Sequence, residues 1–188
     1  MKSRKGRGST TEKGWNSLFV CFLSKAVHVE LVSHLRTDTF LAAFRRFVHR
    51  KGNPSHIYSD NGTTFVGSTK ELELLLRQEQ SQQQITNSAA ERGIEWHFIP
   101  PYSPHWGGLW EAGVKSVKHH LKRVLGESYL TYEEMNTTLV QIEGCLNSRP
   151  LCPLTEDPTH PDVLTPGHFL RGRSIVVPPD PCILFASF

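Results

Sequence analysis

Cysteine is scarce in this chain: there are four in 188 residues, at positions 21, 145, 152 and 182. They stand too far apart for a disulfide framework or a paired C-x-x-C zinc site, and no histidine pair accompanies them at finger spacing. We read them as reduced thiols. Long apolar runs are missing as well, and none approaches the roughly 18 residues that a membrane helix requires. The basic start, with Lys2, Arg4, Lys5 and Arg7, has no apolar segment directly behind it, which argues against a secretory leader and for an intracellular protein without a membrane partner. Nor is there an excess of one charge. A net charge of +3 makes a weak case for a polyanionic partner by itself, so the distribution of charge has to carry that argument.

What is present suits one α/β domain, residues 1 to 150, followed by a proline-rich tail, 151 to 188, read as extended. Residues 15 to 32 read as a hairpin, with Leu18 to Leu23 continuously apolar, a turn at Ser24-Lys25, and Val27, Val29 and Leu31 alternating after it. From Thr37, taken as a cap, the apolar period becomes helical through Phe40, Phe44, Phe47 and Val48, until Gly52 and Pro54 stop it. A short strand, Ile57-Tyr58, leads to Asp60 and the turn Asn61-Gly62. A helix capped by Ser68 and Glu71 follows, then a Gln-rich stretch that reads as a polar loop over 81 to 92. Ile94, Trp96 and Phe98 alternate as a further strand. Residues 100 to 108, with three prolines and two glycines, cannot be regular structure. Two helices complete the domain. One is long, to about Gly126, with a stripe of Trp110, Val114, Val117, Leu121 and Leu125. The other runs from a Thr131/Glu134 capping box and buries Met135, Leu139, Ile142 and Leu146.

Chemistry concentrates at two points. Asp60 sits at the end of a strand, where α/β sheets place ligand sites, although Asp-Asn-Gly is also a plain turn signal. Glu111 lies in the first turn of the long helix, where the helix dipole alone would account for an acid. Its company says more. Lys115, Lys118 and Lys122 follow at four, seven and eleven positions, on one helical face, so an acid that can hold a divalent cation heads a basic stripe that can hold phosphates. The competing explanation is ordinary i,i+4 salt-bridge decoration. The groups Arg45, Arg46, Arg50 and Lys115, Lys118, Lys122, Arg123 each have the same bland reading as solvated faces.

The strings SDNGT around Asp60, FIPPYSPHWGGLWEAGVKSVKHHL around Glu111 and CFLSKAVHVELV upstream resemble the integrase catalytic core of Bel/Pao-type long-terminal-repeat retrotransposons, over about residues 2 to 177. The resemblance implies an RNase H-like mixed sheet flanked by helices, and an Asp-Asp-Glu triad that binds two Mg²⁺ (or Mn²⁺) ions. On that pattern Asp60 and Glu111 are the second and third acids, both catalytic and metal-binding. It further implies that Lys115 and Lys118 contact DNA at the element ends, with Lys122 and Asn61 beside them. It places Tyr102 in a loop that moves over the site. The implied activity is DNA integration by metal-dependent strand transfer. The implied partners are element-end and target DNA together with further copies of the chain, with no small-molecule substrate, and the implied place of work is the nucleus.

One departure is expected to matter. The family's first aspartate lies on a strand ahead of the hairpin, and residues 1 to 14 offer no apolar run to form it, with Glu12 as their one acid. Glu30 and Asp38 fall in the wrong place to substitute. The triad is therefore read as a pair, and the first, central strand of the sheet as missing, as in a truncated copy or incomplete gene model. The family's zinc-binding N-terminal region and small C-terminal domain are likewise read as absent. Three functions stay open: a fragment of a strand-transfer enzyme, an inactive remnant that still binds DNA, and an α/β scaffold with no nucleic-acid partner.

Overall fold

A computed structural model describes residues 13–59, 79–99, 107–126, 128–155 and 162–175. Within these, β1 (Trp15–Val20) pairs antiparallel with β2 (Val27–Val32), Trp15 opposite Val32 and Val20 opposite Val27. The first strand is displaced from its predicted position. Phe22 and Leu23 lie in the connection, 50% and 86% exposed, because Cys21 N–H already donates to Ala26 O at 2.8 Å and closes the turn ahead of them. Lys25 completes this turn at φ 57°, and its Nζ donates to Phe22 O at 2.6 Å.

Helix α1 (Thr37–Lys51) follows, and the sequence's cap is off by one: Thr37 is its first residue and Arg36 takes the N-cap position. Arginine offers no acceptor, so Thr39 serves instead, its hydroxyl accepting from Arg36 N–H at 3.3 Å and donating to His34 O at 2.6 Å. Gly52, at φ 91°, ends the helix as expected. Then come β3 (His56–Ser59), α2 (Glu79–Ala90) and β4 (Glu95–Phe98), with β3 and β4 parallel. The stretch read as a polar loop over 81 to 92 is thus mostly helix. Its one apolar face is short: Ile85 and Ala89, four residues apart, are 2% and 0% exposed, while polar residues such as Gln83, Gln84 and Asn87 stay exposed. The predicted helix from Ser68, with Leu72, Leu75 and Leu76, lies outside the described residues.

The long helix α3 (Gly108–Leu125) and α4 (Tyr132–Asn147) match their predicted spans, and the Thr131/Glu134 box forms in both directions. The tail is not all extended. β5 (Cys152–Pro153) pairs antiparallel with β6 (Val163–Leu164), and α5 (Pro166–Arg171) starts behind a buried Thr165. Proline at the first helical position is favourable, since its missing N–H would have no partner there anyway.

Strand β2 is buried along its whole length, and its two faces serve different ends. Val27, Val29 and Leu31 join Val117, Leu139, Ile142 and Leu146 in one core, with Met135 and Leu121 packed against it. On the other face, His28 and Glu30 turn toward α1. A second core of Phe44, Val48, Ala89 and Ile94 lies under α1, with Ile57 and Trp96 packed on it. Helix α1 joins the two halves: Phe47 stacks on Phe19 of β1 at 4.2 Å, and Phe44 meets Trp96 of β4 edge-on at 5.4 Å.

The outer edge of β2 is occupied by side chains in place of a strand. Asn147, fully buried, accepts from Val27 N–H and donates to Val27 O, both at 2.8 Å. Glu143 accepts from Val29 N–H at 3.0 Å, and Arg46 donates to Leu31 O at 3.1 Å. The fit is geometric: four helical residues rise about 6 Å, and two strand residues about 6.8 Å. Helix α4, running opposite to β2, therefore brings Asn147 and Glu143 to alternate strand residues.

Glu143 also faces His28 Nδ1 at 3.0 Å and Lys51 Nζ at 3.3 Å. Burial pushes its carboxyl pKa up, but the hydrogen bonds from His28 and Val29 and the charges of His28 and Lys51 together hold it below its ordinary value of 4.5. A depressed carboxylate stabilises the fold fully above the unfolded pKa, and this contribution fades as the pH falls through the native one. Urea midpoints should therefore decline as the pH drops below 4.5. Glu143→Gln should flatten that limb while lowering stability at neutral pH. An unchanged acid limb in the variant would show that Glu143 is not its source.

Candidate functional site

The two-stranded sheets β1–β2 and β3–β4 are not hydrogen-bonded to each other. Between them lies an open cleft of about 1240 Å³. Leu18 and Val20 of β1 line one side, Ile57 and Ser59 of β3 the other, and α3 closes the floor with Val114 and Val117. An aromatic contact links the sheets at one end, Phe22 meeting Tyr58 edge-on at 5.5 Å. Because Val27, Val29 and Leu31 spend their outward backbone groups on side chains, β2 bonds β1 through the alternate residues. The backbone groups of Asn16, Leu18 and Val20 are thereby directed to the opposite, cleft-side edge of the hairpin. Among the described residues, two strand edges thus face each other across a gap.

Glu111 reaches this cleft from the first turn of α3, together with Trp110, Lys115 and Lys118. At 100° per residue, positions 111, 115, 118 and 122 fall within an arc of roughly 60°. The polar end of that arc and the apolar residues Val114 and Val117 share one wall. Close packing at Gly113 sets how near the wall comes to β1, since a Cβ there would lie 2.9 Å from Leu18 Cδ2 and 3.3 Å from Val20 Cγ2. The Glu111 carboxylate folds back over the buried Gly107, where a Cβ would stand 2.8 Å from Oε1. Any side chain at 107 would have to displace the acid.

Among the described residues the Glu111 side chain makes no hydrogen bond and no ion pair, and in particular none within 4.0 Å to the Lys115 ammonium. The simple salt-bridge explanation for this face therefore does not apply. An exposed, unshared carboxylate suits a hard cation that keeps part of its water shell, and Mg²⁺ is of that kind. Lys115 and Lys118 are exposed on the cleft wall, while Lys122 is exposed in the last turn and does not line the cleft. Asp60, Asn61 and Tyr102 lie outside the described residues. Ser59, the residue before Asp60, lines the cleft and accepts from Trp96 Nε1–H at 3.0 Å.

Two of the three arginines of the basic group in α1 turn out to be engaged. Arg46 Nε and Arg50 Nη1 each donate to the buried Glu30 at 2.6 Å, and His28 Nε2 lies 2.9 Å from the same carboxylate. Glu30 is 4% exposed and fully committed, so it cannot stand in for a metal-binding acid. The sequence reading also passed over the outer face of β3 and β4, where His56, Glu95 and His97 converge. The signal available was the Glu-x-His alternation at 95 and 97, which puts both side chains on one face of a strand.

No protein-family model matches the chain, and no curated protein does. Similarity appears in structure. One chain from the cryoEM structure of the simian T-cell lymphotropic virus intasome in complex with PP2A regulatory subunit B56 gamma aligns with a TM-score of 0.57 and 17% identity, over 92% of this chain and 54% of that one. The catalytic core domain of BIV integrase aligns with a TM-score of 0.52 and 17% identity, over 82% of this chain and 84% of that one. The present chain thus spans about half the length of the intasome chain it matches. At this identity the shared property is the fold: a mixed α/β domain of small sheets and helices.

Proposed function

We propose that this chain is the DNA-engaging part of an integrase-like strand-transfer enzyme of the Bel/Pao retrotransposon type, with Glu111 and Asp60 as its metal-holding acids. The observation that carries the reading is the cleft wall of α3, where an unshared carboxylate is followed by Lys115 and Lys118. When bound between such acids, divalent cations polarise a scissile phosphate and stabilise the leaving oxygen of an in-line displacement. The chain's own residues bind and orient. Lys115 and Lys118 neutralise backbone phosphates of a strand laid along the helix, and Glu111, held over Gly107 at the helix start, sets where the reacting phosphate must sit. Lys122, further along the same face, extends the phosphate track, and the family resemblance assigns Asn61 and Tyr102 to the DNA contact as well. Further copies of the chain and a nuclear place of work follow from the same reading.

A second reading, DNA binding without catalysis, is favoured by the open cleft itself, since among the described residues no strand lies between β1 and β3 to carry a further acid. Both readings require phosphate contacts by the lysines. Lys115→Ala with Lys118→Ala should weaken binding to unrelated duplexes alike, and the slope of log affinity against log salt should fall by about one unit per lysine. Electrophoretic titration over a range of salt concentrations measures it. An unchanged slope would leave these side chains as solvated decoration and remove the basis for DNA as partner.

A further inference from the structure

On the outer face of β3 and β4, remote from the side that packs under α1, three ligand-type side chains meet. The parallel register sets His56 beside Glu95 and Tyr58 beside His97, so the alternation of both strands places all four on one face. Ile57 and Trp96 take the opposite face, in the core. His56 Nδ1 lies 3.2 Å from His97 Nε2 and 3.3 Å from Glu95 Oε2, and His97 Nε2 lies 3.5 Å from Glu95 Oε1.

The separation of the two ring nitrogens is close to the edge of a coordination tetrahedron, and Glu95, which meets each ring with a different oxygen, keeps one donor atom within 4.8 Å of both. Ligands at the zinc–nitrogen and zinc–oxygen distances of about 2.0–2.1 Å stand about 3.3–3.4 Å apart around a four-coordinate ion. A plain hydrogen bond accounts for one of the three contacts, with one ring donating to the other. It does not require a carboxylate to face both of the same nitrogens. Two imidazoles and one carboxylate with an open fourth position form a donor set that suits zinc and is poor for Mg²⁺, which prefers oxygen alone. The site is exposed on one side, His56 and Glu95 being 53% and 65% accessible and His97 32%, so an ion can enter. Tyr58 stacks on the His97 ring at 4.7 Å and fixes its plane, as an outer partner does in metal sites.

We propose that His56, Glu95 and His97 bind one zinc ion, which ties β3 to β4 on the face turned away from α1. The 40 residues between His56 and His97 (97 − 56 − 1) have these two strands as their stems, so the ion would hold together the ends of a long excursion. The site shares no residue with the Glu111 wall and stands or falls separately from the strand-transfer reading.

The test is equilibrium titration of the full chain with Zn²⁺ against a chromophoric chelator, with Co²⁺ as spectroscopic substitute. Wild type should take up one more equivalent than His56→Gln and His97→Gln, and its Co²⁺ form should show the visible absorption of a four-coordinate ion, lost in both variants. Loss of a ligand should cost more than about 100-fold in affinity, beyond the 10–100-fold typical of losing an outer partner. Zn²⁺ should raise the melting temperature of wild type alone. Circular dichroism without metal checks that both histidine variants fold, and since His56 is more than half exposed its substitution has little core to disturb. Equal zinc uptake by wild type and both variants, or no uptake at micromolar zinc, would overturn the site and leave the cluster as a hydrogen-bonded surface triad.

Discussion

Replacing Glu30 with alanine should lower the free energy of unfolding by about 3 kcal/mol, the lower end of the 3–5 kcal/mol that breaking a buried ion pair costs. Glu30 is 4% exposed and receives Arg46 and Arg50 at 2.6 Å each, with His28 at 2.9 Å. The lower end is chosen because the arginines are not themselves sequestered. Their side chains are 39% and 57% exposed and can turn to water once the acid is gone. His28 cannot, at 7%, and it would keep only Glu143. Arg50→Ala should cost less, about 0–1 kcal/mol, since its guanidinium is solvated already. Urea unfolding followed by tryptophan fluorescence measures all three proteins. A loss below about 1 kcal/mol for Glu30→Ala would mean that the cluster is no stronger than a surface pair.

The second large effect concerns catalysis and rests on the proposed function. In a protein whose cleft has been filled by an added N-terminal strand bearing an aspartate, Mg²⁺-dependent joining of a labelled duplex end into plasmid DNA should appear. Glu111→Gln in that protein should reduce it about a thousandfold or more, a loss of roughly 4 kcal/mol of transition-state stabilisation. The amide keeps the shape of the side chain and removes its charge, which is what holds a hard dication. Glu111 is exposed and its side chain makes no internal hydrogen bond among the described residues, so the substitution should leave folding untouched. Asp60→Asn should act alike. Equal joining by the Gln variant would reduce Glu111 to a residue placed for the helix dipole, and robust joining without the added strand would show that the acids have been assigned wrongly.

Much of the fold was legible along the chain because its strongest signals are local. The α3 stripe, the Thr131/Glu134 box, the apolar face of α4 and the alternation of β2 each need only a few neighbouring residues to declare themselves, and each stands where expected. Helix α2 was hidden because a helix that buries only Ile85 and Ala89 differs little in pattern from a polar linker. The tail helix was hidden because proline at a first turn and proline in extended chain look the same in sequence.

The site divides along the same line. Glu111 and its lysines were legible, since residues 111, 115 and 118 share a face through helical periodicity alone. By itself the sequence also determined the broad class, α/β. Whether Arg46 and Arg50 were free for a polyanion depended on Glu30, 16 and 20 residues away and in another element. Asn147 lies 120 residues from the strand edge it satisfies. His56 and His97 are 41 apart. Pairings at such separations leave no periodic trace, because what joins them is the packing of elements whose relative placement is set by burying β2 on both faces. Tertiary structure alone decided which charges are consumed inside the fold, and which stay open to the cleft.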